Sequence, residues 1–323
     1  MDGFSVALSE ITLVLFTTLA PSGAVAYLLM SLPVLSGRAA GDTARRLNQL
    51  TCLPLLVAMV GLVASATHLG NPANALYVFT GVGRSPLSTE VFCAVVFLAL
   101  AGVYWLYSFA ERPRIGLQRG LLAAIDVAIV AFVSSVAFAY NVDTIVTWSL
   151  PLVPASLILN ALFGGPLLAL AGFALASRGL GAASTAELPI AYAAPEGALE
   201  AYVEPRKASK AQPTAARVFP SRRGARILLT LATAACAANV AVYAVLGFQL
   251  QGIENELVSV ADLVAGYPVY LAAFAVLAAS ALALAWCAAI KRELRQSPAP
   301  LVVASVLAFV AIFLMRFTFY MSH

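Results

Sequence analysis

Residues 120–140 read GLLAAIDVAIVAFVSSVAFAY, a run of 21 residues whose only charge is Asp126. At 1.5 Å per residue, such a helix covers about 30 Å, the hydrocarbon thickness of a bilayer. Runs of the same kind, separated by charged or Pro/Gly-rich loops, place eight helices along the chain. The first runs from Glu10 to about Leu35, the second from Asn48 to His68 and the third from Ser88 to Ala110. The fourth is Gly120 to Tyr140, the fifth Val153 to Ser177 and the sixth Arg226 to Gln249. The seventh is Val264 to Ile290 and the eighth Pro300 to Tyr320. The expected fold is an all-α membrane protein of eight transmembrane helices.

Composition agrees. The chain has 323 residues, 62% hydrophobic and only 11% charged, where a soluble domain carries about 25% charge. The opening Met-Asp-Gly-Phe lacks the basic region of a cleaved signal peptide, so the first helix is expected to be retained. The net charge of +4 sits in loops beside helices. That arrangement reflects topology in a lipid bilayer and implies no nucleic-acid partner. Cys52, Cys93, Cys236 and Cys287 fall within helices and form no CxxC, so they read as small buried apolar residues.

The basic residues fix an orientation. Of 19 Lys and Arg, 17 lie in the loops between helices one and two, three and four, five and six, and seven and eight. Only Arg84 lies in an opposite loop, and Arg316 lies inside the last helix. The positive-inside rule then puts both termini outside the cytoplasm, in a multi-pass protein of the cytoplasmic membrane. The outer segments carry acids instead, among them Asp2, Glu10, Asp143, Glu254, Glu256 and Asp262.

One cytoplasmic loop, residues 178–224, is rich in Ala, Pro, Glu, Lys and Ser and is expected to be flexible. It divides residues 1–177, which hold the candidate site, from residues 225–323, which hold helices six to eight. Helices one and five both start outside, so the topology permits two four-helix halves in parallel. Each carries a kink element, Pro21-Ser22-Gly23 and Gly164-Gly165-Pro166.

Polar residues at membrane depth are expensive and mark function by default. His68 ends the second helix, Glu90 begins the third, Arg84 precedes it, and Arg316 lies about one turn from the outer end of the eighth. Tyr140, Asn141, Tyr267 and Tyr270 fall at similar depth. This outer set suits proton-coupled chemistry. A quinol gives up two protons with its two electrons, and an imidazole with a carboxylate can accept them. Each residue also has a plainer reading. His68 can be merely interfacial, Glu90 can serve the helix dipole after Ser88-Thr89, and Arg316 can snorkel to the headgroups. Asp126 lies nearer the inner end and is isolated. It can pair with a polar group of another helix or line an inner proton or water path.

Membrane b-haems mostly take two histidine ligands, and only one histidine here is intramembrane. No cysteine cluster can hold an iron–sulfur centre. No haem and no iron–sulfur cluster is therefore expected in this chain, and a partner must collect the electrons.

The segments Ala66-Thr67-His68-Leu69-Gly70-Asn71-Pro72, Ala75-Leu76 and Gly83-Arg84-Ser85-Pro86-Leu87-Ser88-Thr89-Glu90 resemble the membrane anchor subunit of dimethyl sulfoxide reductase. Eight helices with both termini outside also fit that family. The resemblance implies a subunit of an anaerobic respiratory complex. It would hold a molybdopterin catalytic subunit and a four-cluster iron–sulfur subunit on the membrane, and would oxidise menaquinol as bound substrate. It assigns His68 and Glu90 to the quinol chemistry, and Arg84 and Ser85 match its loop in type. With Arg316, these residues form the expected quinol site. A secondary transporter and a ligand-free assembly scaffold are the competing functions. The strong polar groups lie toward the outer face, which disfavours a midplane transport site. The apolar outer loop Leu76–Phe79 looks like a covered surface, so the partners are expected on the outer face.

Overall fold

The computed structural model describes residues 3–68, 72–111, 113–141, 145–186, 221–253, 264, 266–290 and 297–322. Among these residues every regular element is helical. A short helix α1 (Gly3–Ser9) leads into α2 (Ile11–Leu35). A polar helix α3 (Gly41–Leu50) leads into α4 (Cys52–Thr67), and a 3-10 segment (Pro72–Gly81) leads into α5 (Pro86–Tyr107). Then come α6 (Ile115–Ala139), α7 (Leu152–Ala186), α8 (Arg222–Leu250), α9 (Tyr267–Ile290) and α10 (Ala299–Met321). Eight spans are long and apolar enough to cross a membrane, with α3 and α4 counted as one, as the hydrophobic runs predict.

The helix ends differ from hydropathy in a consistent way. Apolar runs mark where hydrocarbon ends, not where the backbone stops being helical. Thus α6 begins at Ile115, through the polar Gly-Leu-Gln-Arg, and α7 continues to Ala186 through an Ala-rich stretch expected to be loop. Residues 187–220 of the expected flexible loop lie outside the described residues, as do Leu69, Gly70 and Asn71 of the motif, Arg112, and the outer acids Asp2, Asp143, Glu254, Glu256 and Asp262. The amphipathic α3 was hidden by its polarity. It buries Ala44, Leu47 and Asn48 and packs on α7.

The two first helices of the halves form the centre. Within their apolar windows, 72% of α2 and 78% of α7 is buried, against 28% for the α3–α4 span and for α9. In each half the first helix packs on the second and the fourth, and the third packs on the fourth. The pairs are α2 with α4 and α6, α5 with α6, α7 with α8 and α10, and α9 with α10. The halves join through α2 against α7, with α10 on α2 and α6 on α7 as matching cross-contacts.

Small residues set this geometry, because helices in lipid associate through close packing. A Cβ on Gly23 would lie 2.7 Å from the Ala58 nitrogen, and one on Gly165 would lie 2.6 Å from Val25 Cγ1. A Cβ on Gly164 would lie 2.9 Å from Ser22 Oγ, so the two kink elements meet each other, with Pro21 and Pro166 inside their helices. The cysteines are free, and only Cys236 is fully buried. Cys287 is exposed, a correction to the expected burial. An apolar thiol is at no disadvantage on a face that meets lipid.

Candidate functional site

Both ends of the described residues meet at one end of the bundle. Phe4 packs edge-on against Phe317 (centroids 5.3 Å), and Thr147 Oγ1 donates to the Ser322 carbonyl (3.1 Å). His68, Glu90, Tyr140 and Arg316 all lie toward this end, as alternating helix direction requires.

Glu90 is the fifth residue of α5 and only 2% exposed. Its Oε2 has no hydrogen-bond partner among the described residues. The helix start is served by others. Pro86 occupies the first turn, Ser85 Oγ accepts from the Ser88 N–H (3.4 Å), and Thr89 Oγ1 accepts from the Gly83 N–H (3.1 Å). Glu90 is therefore not needed as a cap. Ser85 is that cap, and Arg84 is exposed on the turn, apart from the buried cluster.

Arg316 is wholly buried, so the snorkelling reading fails. Its Nε donates to Thr17 Oγ1 on α2 (3.0 Å). The guanidinium lies 4.1 Å from the Phe319 ring centroid, 5.4 Å from that of Tyr320 and 5.7 Å from that of Tyr140. These ring faces lower the cost of burying the charge. Nη1 and Nη2 make no hydrogen bond among the described residues. Trp148 closes the cluster, stacked on Phe319 (5.2 Å) and edge-on to Tyr320 (5.7 Å).

Tyr140 links the two charged groups. Its buried phenol interacts electrostatically with Tyr320, Glu90 and Arg316. Both Glu90 and Arg316 thus lie within electrostatic range of one phenol.

His68 is partly exposed where Glu90 is buried. It caps the end of α4, its side chain is 44% exposed, and its Nε2 lies 3.4 Å from Glu10 Oε2. Glu10 occupies the break between α1 and α2. The structure therefore pairs His68 with Glu10 at the rim, while in the interior Tyr140 lies within electrostatic range of both Glu90 and Arg316. Sequence reading missed Thr17, Tyr320 and Trp148, and it placed Glu10 only among the outer acids. Threonine in an apolar helix gives no signal of its own, and the Glu10 contact joins distant segments.

Helices α7 and α8 carry a second buried polar network, in which only Asn239 Oδ1 lacks a partner among the described residues. Asn160 exchanges hydrogen bonds with the Tyr243 hydroxyl (2.8 and 3.1 Å) and accepts from Asn239 Nδ2 (2.6 Å). Tyr267 donates to the Tyr243 carbonyl (2.6 Å), so it braces α8 and does not join the Arg316 cluster. A mostly apolar cleft of about 20 Å³, lined by Tyr243, Met315 and Phe319 among others, separates the two groups. Among the described residues no three His, Cys, Asp or Glu side chains converge as metal ligands.

An eight-span helical bundle with a guanidinium that has no ion-pair partner among the described residues, and a carboxyl group buried at the same end, defines a multi-pass membrane protein with a polar site near one face. Residues 4–321 match the family model described as DMSO reductase anchor subunit (DmsC). The protein belongs to that family, as the His68–Glu90 motif implied. It is 32% identical over 162 residues to an anaerobic dimethyl sulfoxide reductase subunit of Escherichia coli (strain K12), covering 49% of this sequence and 56% of that one. It is 30% identical over 163 residues to the subunit of the same name from Haemophilus influenzae, with the same coverage of 49% and 56%. A third relative, the anaerobic dimethyl sulfoxide reductase subunit YnfH of Escherichia coli (strain K12), is 29% identical over 163 residues, covering 50% of this sequence and 57% of that one. The matched stretch spans about half the length of these relatives.

Proposed function

We propose that this protein anchors a molybdopterin catalytic subunit and a four-cluster iron–sulfur subunit on the membrane, and oxidises menaquinol at the Glu90–Arg316 end of the bundle. The observation that carries the reading is the buried Arg316, whose Nη atoms find no hydrogen-bond partner among the described residues, at the same end of the bundle as Glu90, whose Oε2 likewise finds none among them. A buried charge left without an acceptor is costly, and a bound oxygen ligand relieves it. The Arg316 fork presents donors to one quinol oxygen. Glu90 accepts the proton of one hydroxyl, and His68 accepts the other at the rim. Two electrons leave to the iron–sulfur subunit as the quinol becomes quinone. Glu10 lies 3.4 Å from the His68 imidazole, whose side chain is partly exposed, so the protons leave at the same end.

The cleft beside Phe319 is far below the several hundred Å³ of a usual ligand pocket, so a quinol ring at Arg316 displaces Phe319 from the guanidinium. Positive-inside asymmetry supports placing this end, with both termini, outside the cytoplasm. The partner subunits would then dock there, over the exposed Tyr77, Phe79 and Leu87. Quinol-driven turnover of the assembled complex should fall by at least about tenfold in His68→Gln and Glu90→Gln. An artificial donor that reduces the iron–sulfur subunit directly should give unchanged turnover. An equal loss in both assays would assign these residues to assembly and reject the quinol role.

A further inference from the structure

The opposite end of the bundle holds a second polar region that the quinol reading does not use. A cavity of about 390 Å³ opens between the α2–α3 turn, the end of α5 and the start of α6. Arg45, Arg119, Asp42 and Glu111 line it, with the neutral Gln118 and Asn48. Asn48 is only 1% exposed, yet its Oδ1 and Nδ2 both lack hydrogen-bond partners among the described residues. A buried primary amide with four unused hydrogen-bonding positions calls for water or another polar guest.

From this cavity polar groups lead inward along two lines. Tyr104 of α5 lies within electrostatic reach of Gln118 and of Asp126. Thr51 donates to the Asn48 carbonyl (2.7 Å), and Tyr27, whose hydroxyl has no hydrogen-bond partner among the described residues, lies within electrostatic range of Thr51 and Asp126. Asp126 itself accepts from Ser31 Oγ at 2.8 and 3.0 Å. It is 11 residues into α6, roughly 16 Å along the axis. At that depth it still keeps partial exposure. A carboxyl group does not leave such surface to hydrocarbon.

Beyond Asp126 the interior turns apolar. Tyr27 packs edge-on to Phe97 (6.0 Å), and Phe97 stacks on Phe132 (5.9 Å). Both phenylalanines are fully buried. Glu90, Phe97 and Tyr104 recur every seven residues on α5 and so share one face, about 10 Å apart in depth. On α6, Phe132 likewise falls between Asp126 and Tyr140.

We infer that Asp126 is a proton-binding site reached by water through the Asn48–Arg119 cavity, and that the Phe97–Phe132 layer insulates it from the Glu90–Arg316 site. The site ends blindly at the aromatic layer, so protons enter and leave it from one end only. The charged groups that face this path are Asp42, Arg45, Glu111 and Arg119 at the cavity, and the titratable phenols of Tyr27 and Tyr104 lie within electrostatic range of the carboxyl group. The inference does not depend on the quinol reading, and its test requires neither quinol nor partner subunits.

The full-length protein reconstituted in vesicles gives two readouts. Acidification should produce a carboxylic-acid infrared band that shifts in D₂O and is missing from Asp126→Asn. Asn48→Leu, which fills the cavity wall with an apolar group, should slow that exchange by at least about tenfold. In the second readout, a pH-sensitive dye inside the vesicles reports proton entry. The double variant Phe97→Ser with Phe132→Ser should raise proton conductance by about tenfold or more, and Asp126→Asn in that background should return it toward the parent value. Absence of an Asp126-dependent band that responds to acid and D₂O overturns the inference. So does a folded double variant as tight as the parent, or a leak indifferent to Asp126→Asn. Should the double variant fail to fold, the infrared measurement on the parent protein decides alone.

Discussion

Arg316 on the last helix donates its Nε hydrogen to Thr17 on the first long helix at 3.0 Å, across a sequence separation of 299 residues. This is the only hydrogen bond the guanidinium makes among the described residues, although the residue is fully buried. Thr17 thus orients the fork and leaves both Nη atoms available, while Phe319 covers the charge from one side. Replacing Thr17 with Val keeps the shape and removes the acceptor. The folded protein should lose about 1–3 kcal/mol, the usual cost of orphaning a buried donor. A melting curve of the detergent-solubilised protein checks this, and Thr17→Ser should restore the parent value.

Arg316→Lys keeps the charge and loses the planar fork and its stacking on Phe319. The complex should assemble normally, with quinol-dependent turnover reduced by at least about tenfold. A normal quinol rate in this variant would show that the guanidinium serves packing alone.

The His68–Glu10 pair is partly exposed, with side-chain exposures of 44% and 21%. Such pairs contribute about 1 kcal/mol or less. Glu10→Gln should leave the melting temperature nearly unchanged while quinol-dependent turnover falls. A large stability loss with unchanged turnover would reverse the assignment.

Gly61 on α4 faces Ala20 of α2, and an added Cβ would lie 2.8 Å from the Ala20 nitrogen. Backbone cannot yield as a flexible side chain does. Gly61→Val should force these helices apart and destabilise the protein by about 1–3 kcal/mol, seen as a lower melting temperature and lower yield of folded protein. Gly102, whose surroundings are open, is the control position.

Asn160 holds the polar network of the second half. Asn160→Leu leaves Asn239 Nδ2 and the Tyr243 hydroxyl without their present partner. A loss of about 1–3 kcal/mol is expected. Asn239→Leu in the Asn160→Leu background should then be less harmful than Asn239→Leu alone, because the two residues share one network.

The spans were legible because each is an uninterrupted apolar run, as at residues 120–140. Their ends were less so. The α3 turns and the tail of α7 are helical yet polar or Ala-rich, and hydropathy registers solvent, not backbone conformation. His68, Glu90 and Arg316 were legible as polar residues at membrane depth. Their grouping was not. Reading them as one set at one depth ignores helix rotation and helix order. Those place His68 against Glu10 at the partly exposed rim and bury Glu90, with Tyr140 within electrostatic range of both Glu90 and Arg316. Asp126, isolated in the linear reading, has Ser31 as its partner.

The sequence alone determined the number of crossings and the end at which each polar residue lies. In hydrocarbon every backbone group must bond within its own helix, so span length and alternation follow from local composition. Only the tertiary structure decided which side chains meet. That depends on how α2 and α7 approach through Gly164 and Gly165, and on which face each neighbouring helix turns inward. Close packing between distant segments sets those quantities, and no local pattern encodes them.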